Sequence, residues 1–290
     1  MCQSIVAKKL LPYKKDLLFF LIAILLFQVF SPTAIIAQGN LLLMPRRIVF
    51  EGAKRYEEIN IANTGTDSAR YIVSFMQIRM KEDGGFEEIK QPDSGQRFAE
   101  KFLRFFPRSI NLAPNEAQVV KIQLTRTGEL EPGEYRSHLY FRAISTEKPL
   151  GEKEAVKDSG ISVKLVAVFG ISIPVIIRSG ESTTKVEFSD LSMQFPIDKA
   201  PVLNMTIHRS GNMSVYGDIF VDFVSNAGKI TRVGSVNGIA VYTPTLKRLH
   251  HIELGKFPGI DYHSGKLQLT YLTANDAKPI KIAESELILK

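Results

Sequence analysis

From residue 42 onward the chain is built of short runs in which apolar and polar side chains alternate, or in which β-branched and aromatic residues dominate. Successive side chains of a strand point to opposite faces, so a period of two marks a half-buried strand. Residues 42–50, 56–62 (YEEINIA), 69–80 (ARYIVSFMQIRM), 109–112, 117–125 (AQVVKIQLT), 133–144 (GEYRSHLYFRAI) and 163–178 (VKLVAVFGISIPVIIR) predict strands in this way. Turn-forming groups punctuate them: Asn63-Thr64-Gly65-Thr66, Asp83-Gly84-Gly85 and Ala113-Pro114-Asn115. Residues 94–104 read as a short helix.

About seven strands in roughly 140 residues is the size of an immunoglobulin-like sandwich. The polar, small-residue stretch Arg178-Ser179-Gly180-Glu181-Ser182 then predicts a domain boundary. The strand pattern resumes at 184–188, 201–208, 214–224, 229–233, 239–242, 246–254, 266–271 and 280–289. The expected fold class is all-β, two immunoglobulin-like β-sandwich domains in tandem over 38–178 and 179–290.

Residues 1–37 carry a different pattern. Lys8-Lys9 and Lys14-Lys15 precede an apolar run at 17–30, a breaker at Ser31-Pro32, and Ala37 ahead of Gln38. A basic region, a short apolar region and a small residue before a polar one predict a secretory signal peptide over 1–37, cleaved after Ala37. The run is shorter than the roughly 20 residues that span a bilayer, so no membrane insertion is expected after cleavage; an uncleaved anchor is the alternative.

Charge and cysteine use narrow the chemistry. Of the formal net charge of +7, residues 1–37 contribute +3 (four lysines against Asp16), leaving +4 on the remainder. That mild balance asks for no nucleic acid partner. Cys2 is the only cysteine and precedes the apolar run, so neither a lipoprotein, a disulfide nor a thiol nucleophile is expected downstream. The histidines His138, His208, His250, His251 and His263 have no zinc-type spacing, and neighbours His250 and His251 would face opposite sides of a strand. No nucleophile elbow, phosphate loop or defensible carboxylate pair occurs. The expectation is therefore no catalytic residue, no metal, no cofactor and no enzyme.

Four stretches resemble one family. Pro45-Arg46-Arg47-Ile48-Val49-Phe50-Glu51-Gly52 is similar to the first strand of PapD-like periplasmic fimbrial and pilus assembly chaperones. Phe106-Pro107 through Leu112-Ala113-Pro114, followed by Gln118-Val119-Val120-Lys121-Ile122, resembles the family's next turn and strand. Gly133-Glu134-Tyr135-Arg136-Ser137-His138-Leu139-Tyr140-Phe141 looks like the sixth strand, and residues 163–177, with Pro174 inside, like the long seventh.

The resemblance implies a cleft between two sandwiches, a periplasmic location, and pilus or fimbrial-type subunits as partners. An outer-membrane usher and a self-capping homodimer are further implied partners. The seventh strand, residues 161–177, would complete the subunit by strand addition, with Ile161, Val163, Leu165, Ala167 and Phe169 on one face. Arg47 matches the cleft arginine that holds the subunit's C-terminal carboxylate, a group that suits a guanidinium fork. The family's second anchor is a lysine a few residues before the proline. Here Val168, Phe169 and Gly170 stand there, leaving Lys164, Lys121 and Arg142 as candidates.

The family's buried charge network also departs: Arg136 stands where an acid precedes Ser137, and Ile173 where a basic residue precedes Pro174. A different network, or apolar contacts in its place, is expected. Two other readings stay open, a structural pilus or surface-adhesin subunit and a glycan-binding β-sandwich protein. The short polar lead before the first strand argues against a subunit, and the absence of tryptophan against a glycan platform.

Overall fold

A computed structural model describes residues 41–144, 168–274 and 278–290. The expected signal peptide lies outside them, as do the donor residues Ile161, Val163, Leu165 and Ala167, with Lys164. Residues 41–179 supply β1 (Leu41–Met44), β2 (Ile48–Phe50), β3 (Tyr56–Asn63), β4 (Ala69–Met76), β5 (Ile78–Met80), β6 (Phe86–Glu88), β7 (Leu103–Phe106), β8 (Ser109–Leu112), β9 (Ala117–Leu124), β10 (Gly133–Ile144) and β11 (Gly170–Ser179). They form two packed sheets, ordered β1-β3-β9-β7 and β2-β11-β10-β4-β8, with β5-β6 as a separate hairpin. Phe50, Ile59, Phe102, Ile122, Leu139 and Phe141 fill the space between the sheets.

The rest of the chain supplies β12 (Lys185–Gln194), β13 (Val202–Ser210), β14 (Val215–Val224), β15 (Ile230–Val241), β16 (Lys247–Glu253), β17 (Lys266–Thr273) and β18 (Lys281–Ile288). Sheets β12-β13-β16 and β15-β14-β17-β18 enclose a second core around Leu203, Ile219, Val221, Leu267 and Tyr271. Strand β14 alternates buried and half-buried positions along its whole length, as its period-two sequence requires. The protein is all-β, two β-sandwiches in tandem.

The joint between the sandwiches follows from one strand. In β10 the first seven residues are all buried, although only alternate ones can face the first core. Tyr135, Leu139 and Phe141 point into that core. Glu134, Arg136 and His138 take the other face, and the second sandwich covers them. A small apolar cluster of Met80, Ile176, Ala240 and Tyr242 packs beside them.

Several expected elements are corrected by pairing partners. The run 42–50 is not one strand: β1 pairs with β3, whereas β2 runs parallel to β11 in the facing sheet. Pro45 has no N–H to continue a ladder, so the chain changes sheets there. The run 69–80 likewise breaks after Met76, and Ile78–Met80 pairs with the unforeseen β6, around a turn in which Gly85 N–H donates to Asp83 Oδ1 at 2.7 Å. Residues 94–104 hold only a single 3-10 turn, Glu100–Phe102, before β7. The separate strands expected at 229–233 and 239–242 are one strand, β15, whose register shifts against β14 fall around Gly234 and Gly238. Arg178, the last residue of the run 163–178, lies in β11 and faces Glu134 across the ladder.

Candidate functional site

The polar face of β10 carries a buried charge network. The Glu134 carboxylate, with no exposed surface, lies 3.5 Å from Arg178 Nε. Its Oε2 accepts from the Ser214 backbone N–H at 2.9 Å and the Ser214 hydroxyl at 2.6 Å, and its Oε1 from the Thr243 hydroxyl at 3.3 Å. Arg178 Nη2 donates back to the Ser214 carbonyl at 2.9 Å. Arg209 ties the loops of the second sandwich together by donating to the carbonyls of Thr245, Gly211 and Met213. A buried charge network between the sandwiches therefore exists. Its acid is Glu134, two residues ahead of Arg136, the position at which the family resemblance implies one.

Next along the same face, cations outnumber acids. Arg136 is 2% exposed, donates Nη2 to the Thr243 carbonyl at 3.2 Å, and sits 4.5 Å over the Tyr242 ring. Arg47, partly buried, is level with Pro174 by the register of β2 on β11. Its Nη1 donates to the Tyr242 hydroxyl at 2.9 Å, and its guanidinium lies 4.5 Å over Tyr216. His138, Tyr242, Arg248, Phe86, Ser172 and Pro174 are among the residues lining a cavity of about 250 Å³. Burial, then the nearby guanidinium groups of Arg136 and Arg47, hold the His138 imidazole neutral, its pKa pushed down to about 3.

That depressed value makes stability pH-dependent. The unfolded state binds a proton at His138 below about pH 6.5 while the folded state does not, so stability falls as pH drops through the window down to about 3. His138 alone should cost about 2 kcal/mol by about pH 5 relative to neutral pH. The measurement is urea denaturation at both pH values for the wild type and for His138→Phe; an equal acid loss in both proteins would remove His138 as a cause.

The third feature is an edge. Strand β11 pairs with β10 over its full length, but with β2 only at Val175, Ile176 and Ile177. Residues Gly170 to Pro174 thus face no strand on that side among the described residues. The Ala143 N–H donates to the Phe169 carbonyl at 2.9 Å. Since hydrogen-bonded and non-bonded pairs alternate in an antiparallel ladder, the main-chain groups of Gly170 and Ser172 point outward, toward the open side. Side chains of Phe169 and Ile171 lie on the core-facing parity of Ile173 and Val175, yet are 43% and 36% exposed. No strand among the described residues covers the core of the first sandwich at that end.

Of the residues singled out from sequence, Arg47 and Phe169 both belong to this region. Arg142 is exposed on β10, level with Gly170. Lys121 lies on the other sheet, in β9, exposed and 3.5 Å from Glu58, away from the Arg47 side chain's neighbours. Sequence reading missed Arg248, Tyr242 and Glu134; only Glu134 left a signal, as the acid that starts the alternating Glu134, Arg136, His138 series. His250 and His251 are adjacent on β16. Among the described residues no cluster of three or more His, Cys, Asp or Glu could hold a metal ion, and no helix is long and apolar enough to cross a membrane.

No protein-family model and no curated protein matches the chain. Solved structures are similar to it. The YadV chaperone aligns over 87% of this chain and 100% of its own, at 11% identity and a TM-score of 0.43. The Pseudomonas aeruginosa CupB2 chaperone aligns over 86% and 100%, at 13% identity and a TM-score of 0.40. The CsuC–CsuE chaperone–tip adhesion subunit pre-assembly complex from archaic chaperone-usher Csu pili of Acinetobacter baumannii aligns over 84% of this chain and 99% of the matched one, at 9% identity and a TM-score of 0.43.

Proposed function

We propose that this protein is an exported periplasmic chaperone that holds pilus or fimbrial-type subunits by strand addition at the open edge of β11 and delivers them for assembly. The observation that carries the reading is that edge itself: outward main-chain groups at Gly170 and Ser172 that no strand among the described residues pairs, exposed Phe169 and Ile171, and Arg47 at its end. An exposed apolar edge invites pairing with another chain. Main-chain hydrogen bonds supply affinity in such an addition, and alternate side chains supply fit.

Direction supports the same reading. Strand β2 runs parallel to β11 and begins beside Val175. A strand added ahead of it, beside residues 168–174 and running the same way, would end at Arg47. A C-terminal carboxylate arriving there meets a guanidinium able to donate two parallel hydrogen bonds. Ala167, Leu165, Val163 and Ile161, the upstream donor residues expected from sequence, lie outside the described residues. A cation-lined joint between two sandwiches supports a binding role for this region.

The test is capture of partners from the periplasm of the native host with the tagged mature protein, wild type beside Arg47→Ala, read by mass spectrometry. Small exported β-rich subunits should come down with the wild type and fall by about tenfold or more with Arg47→Ala, the loss of a charge-assisted pair. Equal capture by both would remove Arg47 as the anchor. Capture of no such subunit by either form would overturn the chaperone reading in favour of a structural or glycan-binding sandwich.

A further inference from the structure

We infer that Arg248, contributed by the second sandwich, is the second cation for the bound strand's C-terminal carboxylate; the inference rests on the carboxylate-anchor reading above. Arg248 lines the cavity of about 250 Å³ at the joint, together with Ser172 and Pro174 from the open-edged half of β11. Tyr242 links the two guanidinium groups: its hydroxyl accepts from Arg47 Nη1 at 2.9 Å, and its ring lines the same cavity as Arg248.

The guanidinium of Arg248 is held but not satisfied. Nη1 donates to the Ala240 carbonyl at 2.6 Å, which fixes the fork. Nε is buried and finds no hydrogen-bond partner among the described residues. Arg248 forms no ion pair among them either. A half-buried guanidinium whose Nε is buried without a hydrogen bond is costly to hold at a cavity unless an anion completes it. The neutral His138, whose Nδ1 is also without a partner, lines the same cavity. A carboxylate fits these donors in size and charge.

The surroundings keep the space free. A Cβ at Gly84 would stand 2.6 Å from Arg248 Nη2 and 2.7 Å from Nε, and the φ of +84° there disfavours any side chain. The β5–β6 hairpin is fastened to the second sandwich by the Leu249 N–H donating to the Glu82 carbonyl at 2.7 Å and by the Thr245 hydroxyl donating to the Met80 carbonyl at 2.7 Å. Arg248 is thereby positioned by two elements, and the anchor that β11 lacks as a lysine is supplied across the joint.

The experiment is calorimetric titration of the mature protein with a short acetylated peptide of alternating valine and threonine ending in a free carboxylate, beside the same peptide as its C-terminal amide. The wild type should prefer the acid by about tenfold or more. Arg47→Met and Arg248→Met should each reduce that preference to about threefold or less, the acid losing more affinity than the amide. Should Arg248→Met fail to fold, Arg248→Lys carries the test: it keeps the charge, loses the fork and should still weaken the preference. Full acid preference in the Arg248 variants, with its loss in Arg47→Met, overturns the inference and leaves the anchor reading standing. No acid preference in the wild type, or no binding of either peptide, overturns that reading and the inference with it.

Discussion

Glu134→Ala is expected to cost about 3–5 kcal/mol of stability, the range for removing one partner of a buried ion pair. The carboxylate is fully buried and serves Arg178, two donors of Ser214 and the Thr243 hydroxyl. Its removal leaves those donors unsatisfied and takes from the largely buried Arg178 guanidinium its nearer carboxylate, leaving it only the Ser214 carbonyl and Glu51 at 3.8 Å, which is the costly half of the asymmetry in hydrogen-bond energetics. It also removes the acid nearest Arg136 and Arg209, whose pKa values are both pushed down chiefly by burial and supported by Glu134. Urea denaturation of the mature protein is the check. Glu134→Gln should cost less, since the amide oxygen still accepts from Ser214. The double variant Glu134→Gln with Arg178→Met should recover part of the loss, because the orphaned charge is gone. A loss below about 1 kcal/mol in Glu134→Ala would mean that the network adds little to the joint.

Ser172→Pro should separate folding from partner binding. The main-chain N–H of Ser172 points away from β10, so proline removes no bond of the existing ladder, and edge positions of this kind tolerate it. Stability should change by about 1 kcal/mol or less. An added strand, in contrast, loses a donor and meets the pyrrolidine ring. Capture of subunits should fall by at least about tenfold. Ile173→Pro is the control: the alternation that turns the Ser172 groups outward turns the Ile173 groups toward β10, so it should destabilise the protein itself. Full capture by Ser172→Pro would place strand addition elsewhere on the molecule.

Most strand positions were legible because each strand is covered on one face and its side chains alternate. Residues 56–62, 109–112, 117–125 and 133–144 needed no tertiary knowledge beyond that. The failures share one cause. Whether 42–50 is one strand or two depends on which sheet each half finds, and whether Gly234 and Gly238 interrupt β15 depends on register shifts against β14. Neither is encoded in local periodicity.

The site divides in the same way. Sequence alone determined the strand-rich class, the succession of two sandwich-sized units, and Arg47 and Phe169 as residues to examine. The alternation of Glu134, Arg136 and His138 also made β10 polar on one face, although nothing local said that this face would be buried. Tertiary structure decided that a second sandwich covers it, pairs Glu134 with Arg178, and brings Arg248 to a cavity shared with Ser172 and Pro174. The physical reason is range: alternation is set by backbone geometry between neighbouring residues, whereas the partners of a buried charge come from segments a hundred residues away and are chosen by how two folded surfaces fit.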